Sequence, residues 1–255
     1  MTNRVEADEM ALAWWPAPAG RAPLSRAAIL DAAIDQIDRD GLDAFSMRKV
    51  AAALGVTTPA LYGHVRNKEE LLALAFDAIL AQVELPEPDS TNWAEDLRRM
   101  ARSWRATMLA HPEATRLSAA GMPLGPNQLR QTDAVFGLLR QAGLADRDVV
   151  FVGSNFACYC MGFSLFVDAN NPIRQIERAG VSYETAKAHW EGMLAALPAE
   201  SIPNIAALRA HLIGDLERSA EMFETGLDIF IDGVRTRLTA VRPALSTPTR
   251  GAHLP

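Results

Sequence analysis

From Leu24 to Val241 apolar residues return every three or four positions, with polar residues between them. That period marks helices with one buried face. The first run is LSRAAILDAAIDQIDRDG. Ala28, Ile29, Ala32, Ala33 and Ile37 form its apolar stripe, and Asp31, Asp35 and Asp38 the acidic face opposite. Ser25 is placed to cap its start and Gly41 its end. Ser46 opens a short second helix, SMRKVAAALG, that stops at Gly55. In VTTPALYGHV, Thr57 or Thr58 is the cap and Pro59 the first helical residue, where a missing N–H costs nothing. Asn67 caps KEELLALAFDAILAQV, which Leu85–Pro86–Glu87–Pro88 closes. Further helices are expected over Trp93–Leu109, in a short piece after His111–Pro112, and over Pro126–Ala142, Asp146–Asp168, Tyr183–Leu197 and about Glu217–Val241. No segment alternates with period two, so no strand is expected and the fold class is all-α.

Pro16, Pro18 and Gly20 break any helix in residues 1–22, which read as a flexible arm carrying Trp14 and Trp15. The prolines at 86 and 88 divide a smaller unit, 23–85, from a larger helical one, 86–241, and 242–255 is a polar tail. With 255 residues, 49% hydrophobic and 22% charged, the chain is of ordinary soluble globular composition. Acids and prolines stand near its N-terminus where a signal peptide needs an unbroken apolar core, so no export signal is read. The run 149–167, VVFVGSNFACYCMGFSLFV, is nearly long enough to span a bilayer. Ser154, Asn155, Ser164 and two glycines interrupt it and no cationic cluster flanks it, so it reads as a buried helix of a soluble protein. Cys158 and Cys160 cannot make a disulfide scaffold, which fits a reduced cytoplasm.

The net charge of −6 does not suggest nucleic acid as a partner, so any such role needs a local patch. Ser46–Lys68 is one. It holds Arg48, Lys49, Arg66 and Lys68, no Asp or Glu, and a titratable His64. Residues 1–85 together hold 8 basic and 12 acidic residues, so the unit is acidic overall and basic on one face. The surrounding acids are expected to suppress non-specific DNA affinity rather than forbid binding. Two short helices joined by a tight turn at Gly55 form a helix-turn-helix pattern. Val50, Ala51, Leu54, Leu61 and Val65 face inward; Thr57, Thr58, Ala60, Tyr62 and His64 face outward.

Residues 24–85, above all GLDAFSMRKVAAALGVTTPALYGHVRNKEELL, resemble the N-terminal domain of the tetracycline-repressor (TetR) family of transcriptional regulators. The resemblance implies a recognition helix over Pro59–His64, with Thr58, Ala60 and Tyr62 toward the major groove and Tyr62 and His64 also near phosphate. Thr57 precedes that helix. Ser46 and Arg48 match the start of the preceding helix, Lys68 a phosphate-contacting lysine, and Arg21 and Arg26 add contacts from the arm and first helix. Gly63 replaces a tryptophan, and Ala60 a threonine, of tetracycline repressors proper, which implies a different operator. Ala60 offers only an apolar contact, such as one to a thymine methyl.

The second unit resembles the tetracycline-repressor subgroup in WAEDLRRMARSWRATMLAHP and GLDIFIDGVRTRL. That implies an effector-binding domain that dimerises through a four-helix bundle built from the 149–167 helix and the last helix. The stripe Phe223, Leu227, Phe230 and Val234 is assigned to core or dimer seam, with Gly226 and Gly233 permitting close approach. The positions of the magnesium–tetracycline ligands fall on Glu84, Met100, Ser118, Gly121, Ala134, Cys158 and Phe166; only the aromatic position survives, as Trp104. No cofactor or metal is therefore expected, since hard cations need oxygen or imidazole donors. An apolar cavity is expected instead, from Met100, Trp104, Met108, Met122, Phe136, Tyr159 and Phe163, with Asn127, Gln131 and Asn155 as polar anchors.

No HExxH, CxxC, phosphate-loop or GxSxG pattern is present. The resulting expectation is a homodimeric, cytoplasmic repressor, released from palindromic double-stranded operator DNA by a small, mainly apolar effector. Kept beside it are an activator, a regulator without a small-molecule effector and, in another class, an enzyme or carrier on a helical scaffold.

Overall fold

The computed structural model describes residues 24–87, 92–119, 125–168, 179–212 and 216–241. The arm 1–22 with Trp14, Trp15 and Arg21, Met122, and the tail 242–255 lie outside the described residues. Among the described residues there is no strand.

The first four helices are α1 (Arg26–Asp40), α2 (Met47–Ala53), α3 (Thr58–Leu61) and α4 (Lys68–Leu80). Their starts are set by side chains that take orphan backbone donors. Ser25 accepts from Ala28 N at 3.1 Å, Ser46 from Lys49 N at 3.2 Å and Asn67 from Glu70 N at 2.7 Å. Glu70 in turn accepts from Arg66 N at 2.7 Å, a reciprocal cap displaced by one residue. Gly55 turns the chain at φ +66°, and Val56 N returns to Ala51 O at 3.0 Å, closing α2 before α3 begins. Pro59 is the second helical residue of α3, because Thr57 takes the cap. Ile29, Ile37, Val50, Leu61, Leu71 and Ile79 are fully buried in one core that fixes these helices. Each such side chain contributes about 1.5–3 kcal/mol.

The rest comprises α5 (Trp93–Ala110), α6 (Ala114–Ala119), α7 (Pro126–Ala142), α8 (Asp146–Phe163), a π-helical turn Ser164–Asp168, α9 (Tyr183–Ala195), α10 (Pro203–Leu212) and α11 (Leu216–Val241). A second core joins α5, α7, α8 and α11 through Leu97, Leu139, Val152, Phe156, Leu227 and Ile231. On the rim of the α5–α11 pair, Arg98 meets Asp228 at 2.7 Å and Arg102 meets Glu224 at 2.8 Å. Deeper, Arg105 holds Asp168 at 2.8 Å while Ser219 donates to that carboxylate at 2.7 Å. The descending pairing shows that the two helices run antiparallel.

Phe223, Leu227 and Val234 are buried inside the single chain, and Phe230 packs beside them, stacked obliquely on Phe156. Phe223 and Leu227 are core, one of the two assignments expected for the stripe, while Phe230, only partly covered, and Val234 also line a surface groove with Asn155, Cys158 and Gly233. Among the described residues the large apolar side chains that α8, the π turn and α11 leave exposed are Val150, Phe151, Phe166, Met222 and Ile229. Gly226 admits the Tyr159 hydroxyl, which would lie 2.7 Å from an added Cβ; among the described residues no atom comes within 4 Å of a Cβ added at Gly233. The 146–168 segment is long and apolar enough to cross a membrane by length and composition, yet one side of it, from Val149 to Cys160, lies in the second core.

Candidate functional sites: a polar head surface and an apolar cavity

The loop and helices from Ser46 to Lys68 form one surface of the head. Arg48, Thr57, Pro59, Ala60 and Tyr62 are exposed; Ser46, Thr58 and His64 are partly covered. Half of the Tyr62 surface is open, unusual for a large aromatic side chain and a reason to expect a partner there. Ser46 uses its hydroxyl as the α2 cap, whereas Thr57 makes no capping bond with its own. Among the described residues no carboxylate pairs with Arg48.

The basic character of this surface is narrower than the charge count implied. Lys49 is paired with Asp40 at 2.8 Å. Arg66 is paired with Glu70 at 3.2 Å, and Arg26 approaches the same buried carboxylate at 3.8 Å. Lys68 donates to the Phe45 carbonyl at 3.1 Å and sits over the Phe45 ring. That contact ties the first residue of α4 to the loop ahead of α2 and leaves two ammonium protons for another acceptor.

A cavity of about 340 Å³ lies between α4, α5, α7 and α8. Phe76 and Leu80 supply the α4 wall, Met100 and Trp104 the α5 wall. Gln131, Val135 and Phe136 come from α7, and Phe156, Cys160 and Met161 from α8. Gly153 makes room for the Phe136 ring, whose edge would stand 2.6 Å from an added Cβ. Burial pushes the Cys160 thiol up to about 12, so it is a neutral wall group. A second cleft of about 540 Å³ is open and charged, lined by Lys187, Glu191, Arg209 and Arg218, and has no comparable apolar wall. Among the described residues no group of three His, Cys, Asp or Glu side chains could hold a metal ion.

Met100, Trp104, Gln131 and Phe136 therefore line the cavity as expected for an effector site, and five other expected positions do not. Met108 is buried in the first core. Asn127 is spent on Asp77: its Nδ2 donates to the carboxylate at 2.8 Å and its backbone N–H at 3.0 Å. Asn155 donates to Phe151 O on its own helix. Tyr159 donates to Phe223 O and stacks on the Phe223 ring, and Phe163 packs edge-on against the same ring. Phe76, Leu80 and Phe156 are lining residues that periodicity marks only as core; nothing in their spacing separates a cavity wall from a packed interior.

Head and cavity share parts. α4 begins at the head with Lys68 and ends as the cavity wall with Phe76 and Leu80. The turn between α5 and α6 forms a second bridge. His111 meets Asp38 at 2.7 Å and Gln82 at 3.1 Å. Glu113 accepts from Leu42 N at 3.2 Å, and Arg116 meets Asp43 at 3.0 Å.

The comparisons with known proteins agree with this layout. Residues 29–75 match the family described as bacterial regulatory proteins, tetR family, and residues 85–238 match the tetracyclin repressor-like C-terminal domain. An HTH-type transcriptional regulator of Saccharopolyspora erythraea is 34% identical over 157 residues, 62% of this chain and 65% of the relative, so the chain spans just under two thirds of it. The class A tetracycline repressor protein from transposon 1721 of Escherichia coli is 31% identical over 84% of this chain and 92% of its own. The crystal structure of the Streptomyces coelicolor TetR family protein ActR in complex with actinorhodin is similar at TM-score 0.71 and 35% identity, covering 85% of this chain and 99% of that one. The chain belongs to the tetracycline-repressor family and is a DNA-binding transcriptional regulator, not an enzyme.

Proposed function

We propose that the protein is a homodimeric, cytoplasmic repressor that leaves a palindromic operator when a small, mainly apolar effector fills the 340 Å³ cavity. One observation carries the reading: the helix that starts under the DNA-facing surface at Lys68 also forms the cavity wall at Phe76 and Leu80. An effector that favours a different α4 position moves the head with it. Its effect on operator affinity is bounded by its differential affinity for the two positions. The division into arm 1–22, head 23–85, sensor 86–241 and tail 242–255 belongs to this proposal. Arg48, Thr57, Thr58, Pro59, Ala60, Tyr62 and His64 form its reading surface, with Lys68 as a phosphate contact.

The dimer proposed here uses the outward faces of α8 and α11. Val150, Phe151 and Ile229 would be buried there, flanking a groove lined by Asn155, Cys158 and Gly233. Exposed apolar residues clustered on two neighbouring helices support association. Ile229 is 69% exposed, so Ile229→Asp leaves the monomer core untouched. Sedimentation velocity is expected to show a dimer for the wild type and a monomer for Ile229→Asp, with operator affinity reduced at least tenfold. A variant that stays dimeric would remove this face from the proposal.

A further inference from the structure

The cavity has a wet rim and a dry floor. Thr132, Ser154 and Ala157 on its rim are exposed, while Met100, Val135 and Phe156 are buried. Gln131 is the amide on that floor, 8% exposed. Its Nε2 donates to the Leu80 carbonyl at 2.7 Å. A carbonyl can only accept, so this bond fixes the amide orientation and leaves Oε1 as an acceptor with no donor among the described residues. Thr132 Oγ1 already donates to Gln128 O at 3.0 Å, so it too can only accept from a ligand. Gln128 and Ser154 also line the cavity, but Ser154 is exposed and Gln128 only partly covered, so on the buried floor it is the Gln131 acceptor that asks for a donor. No lining residue carries a formal charge that would pair a buried ionic ligand. Phe76, Trp104, Phe136 and Phe156 make aromatic walls, which favour flat rings.

We propose that the cavity takes an uncharged fused-ring aromatic bearing a hydroxyl group, with the hydroxyl donating to Gln131 Oε1. The proposal rests on reading the cavity as the effector site. The test is equilibrium dialysis of the full chain with 2-naphthol, naphthalene and 2-naphthoate at neutral pH. A purely apolar cavity prefers naphthalene, the least soluble of the three. The donor requirement reverses that order: 2-naphthol is expected to bind about five- to tenfold more tightly than naphthalene, the value of one net hydrogen bond. The anionic naphthoate is expected not to bind measurably. Gln131→Met, similar in length and without the amide, is expected to abolish the preference for naphthol. If that variant does not fold, the order of the three compounds on the wild type decides alone. Naphthalene binding as well as naphthol, naphthoate binding at all, or none of the three binding would overturn the proposal. A gel shift on the protein's own upstream DNA separates the two readings. Protein that shifts operator but fails the naphthol test refutes the ligand class only, and protein that selects naphthol but shifts no DNA refutes the regulator mechanism only.

Discussion

A single glycine shows how closely the cavity wall is built. Gly153 sits within α8, where alanine is intrinsically better by about 1 kcal/mol. Yet the Phe136 ring would stand 2.6 and 2.8 Å from an alanine Cβ. Overpacking of that kind costs about 1–3 kcal/mol, so Gly153→Ala is expected to destabilise the protein in urea denaturation despite the helix gain. A more stable variant would mean that the ring is loosely held. The same scale explains which cavity residues the chain announces and which it hides. Met100, Trp104, Gln131 and Phe136 fall on inward helix faces, and spacing finds them. Asn127 and Asn155 look like polar anchors and Tyr159 like part of the apolar wall, but each has already found a partner: the Asp77 carboxylate, the Phe151 carbonyl and the Phe223 carbonyl. Two of those partners lie on other helices, at separations of 50 and 64 residues, which no local pattern records.

Helices α4 and α7 are joined by a borrowed cap. Gly125 gives α7 no side-chain cap, and Asp77 of α4 fills the gap by accepting from Asn127 N at 3.0 Å and Gln128 N at 3.2 Å. Burial raises the Asp77 pKa above 3.8, against the opposing pull of these donors. A raised native pKa means that the folded state holds the proton more firmly than the unfolded chain. The contribution is present in full below the unfolded pKa and is lost as pH rises through the native value. The stability of the wild type relative to Asp77→Asn is therefore expected to fall as pH rises from 3.8 and then level off. Urea melts across the acidic range check this, and a pH-independent difference would contradict it. Most element boundaries were legible, because capping residues are local signals: Ser25, Ser46, Asn67 and the Pro126–Ala142 span stand as expected. Helix α10 was not expected. Ile205, Leu208 and Leu212 have helical spacing, but every residue of α10 lies outside the core, so the stripe is short and unsupported. The π turn was read as a continuation of α8; it is where Asp168 meets Arg105 and Ser219, two partners invisible in the local sequence.

Across the whole molecule, the acidic balance resolves into paired and unpaired charge. Of the four cations between Ser46 and Lys68, two are matched by carboxylates outside that stretch, Asp40 and Glu70. Arg48 and the ammonium of Lys68 remain for phosphate, a small positive footprint on a protein of net charge −6. Head and sensor are held by α4 and by the 111–116 turn, whose exposed pairs contribute little stability singly but fix an orientation. Asp38, read from its spacing as part of a solvated acidic face, serves this contact through His111. Fold and family were legible in the helix-turn-helix residues; the orientation of head on sensor was not, since it depends on pairs 71 and 73 residues apart. The central claim is that two such heads read DNA together through Arg48 and Tyr62. DNase footprinting on the protein's own upstream region tests it most directly. The expected result is two protected half-sites about 10–10.5 base pairs, or 34–36 Å, apart or a multiple of that spacing. Protection should be lost in Arg48→Ala and Tyr62→Ala proteins whose circular dichroism and melting match the wild type. Unchanged protection by both variants, or a single half-site, would contradict it.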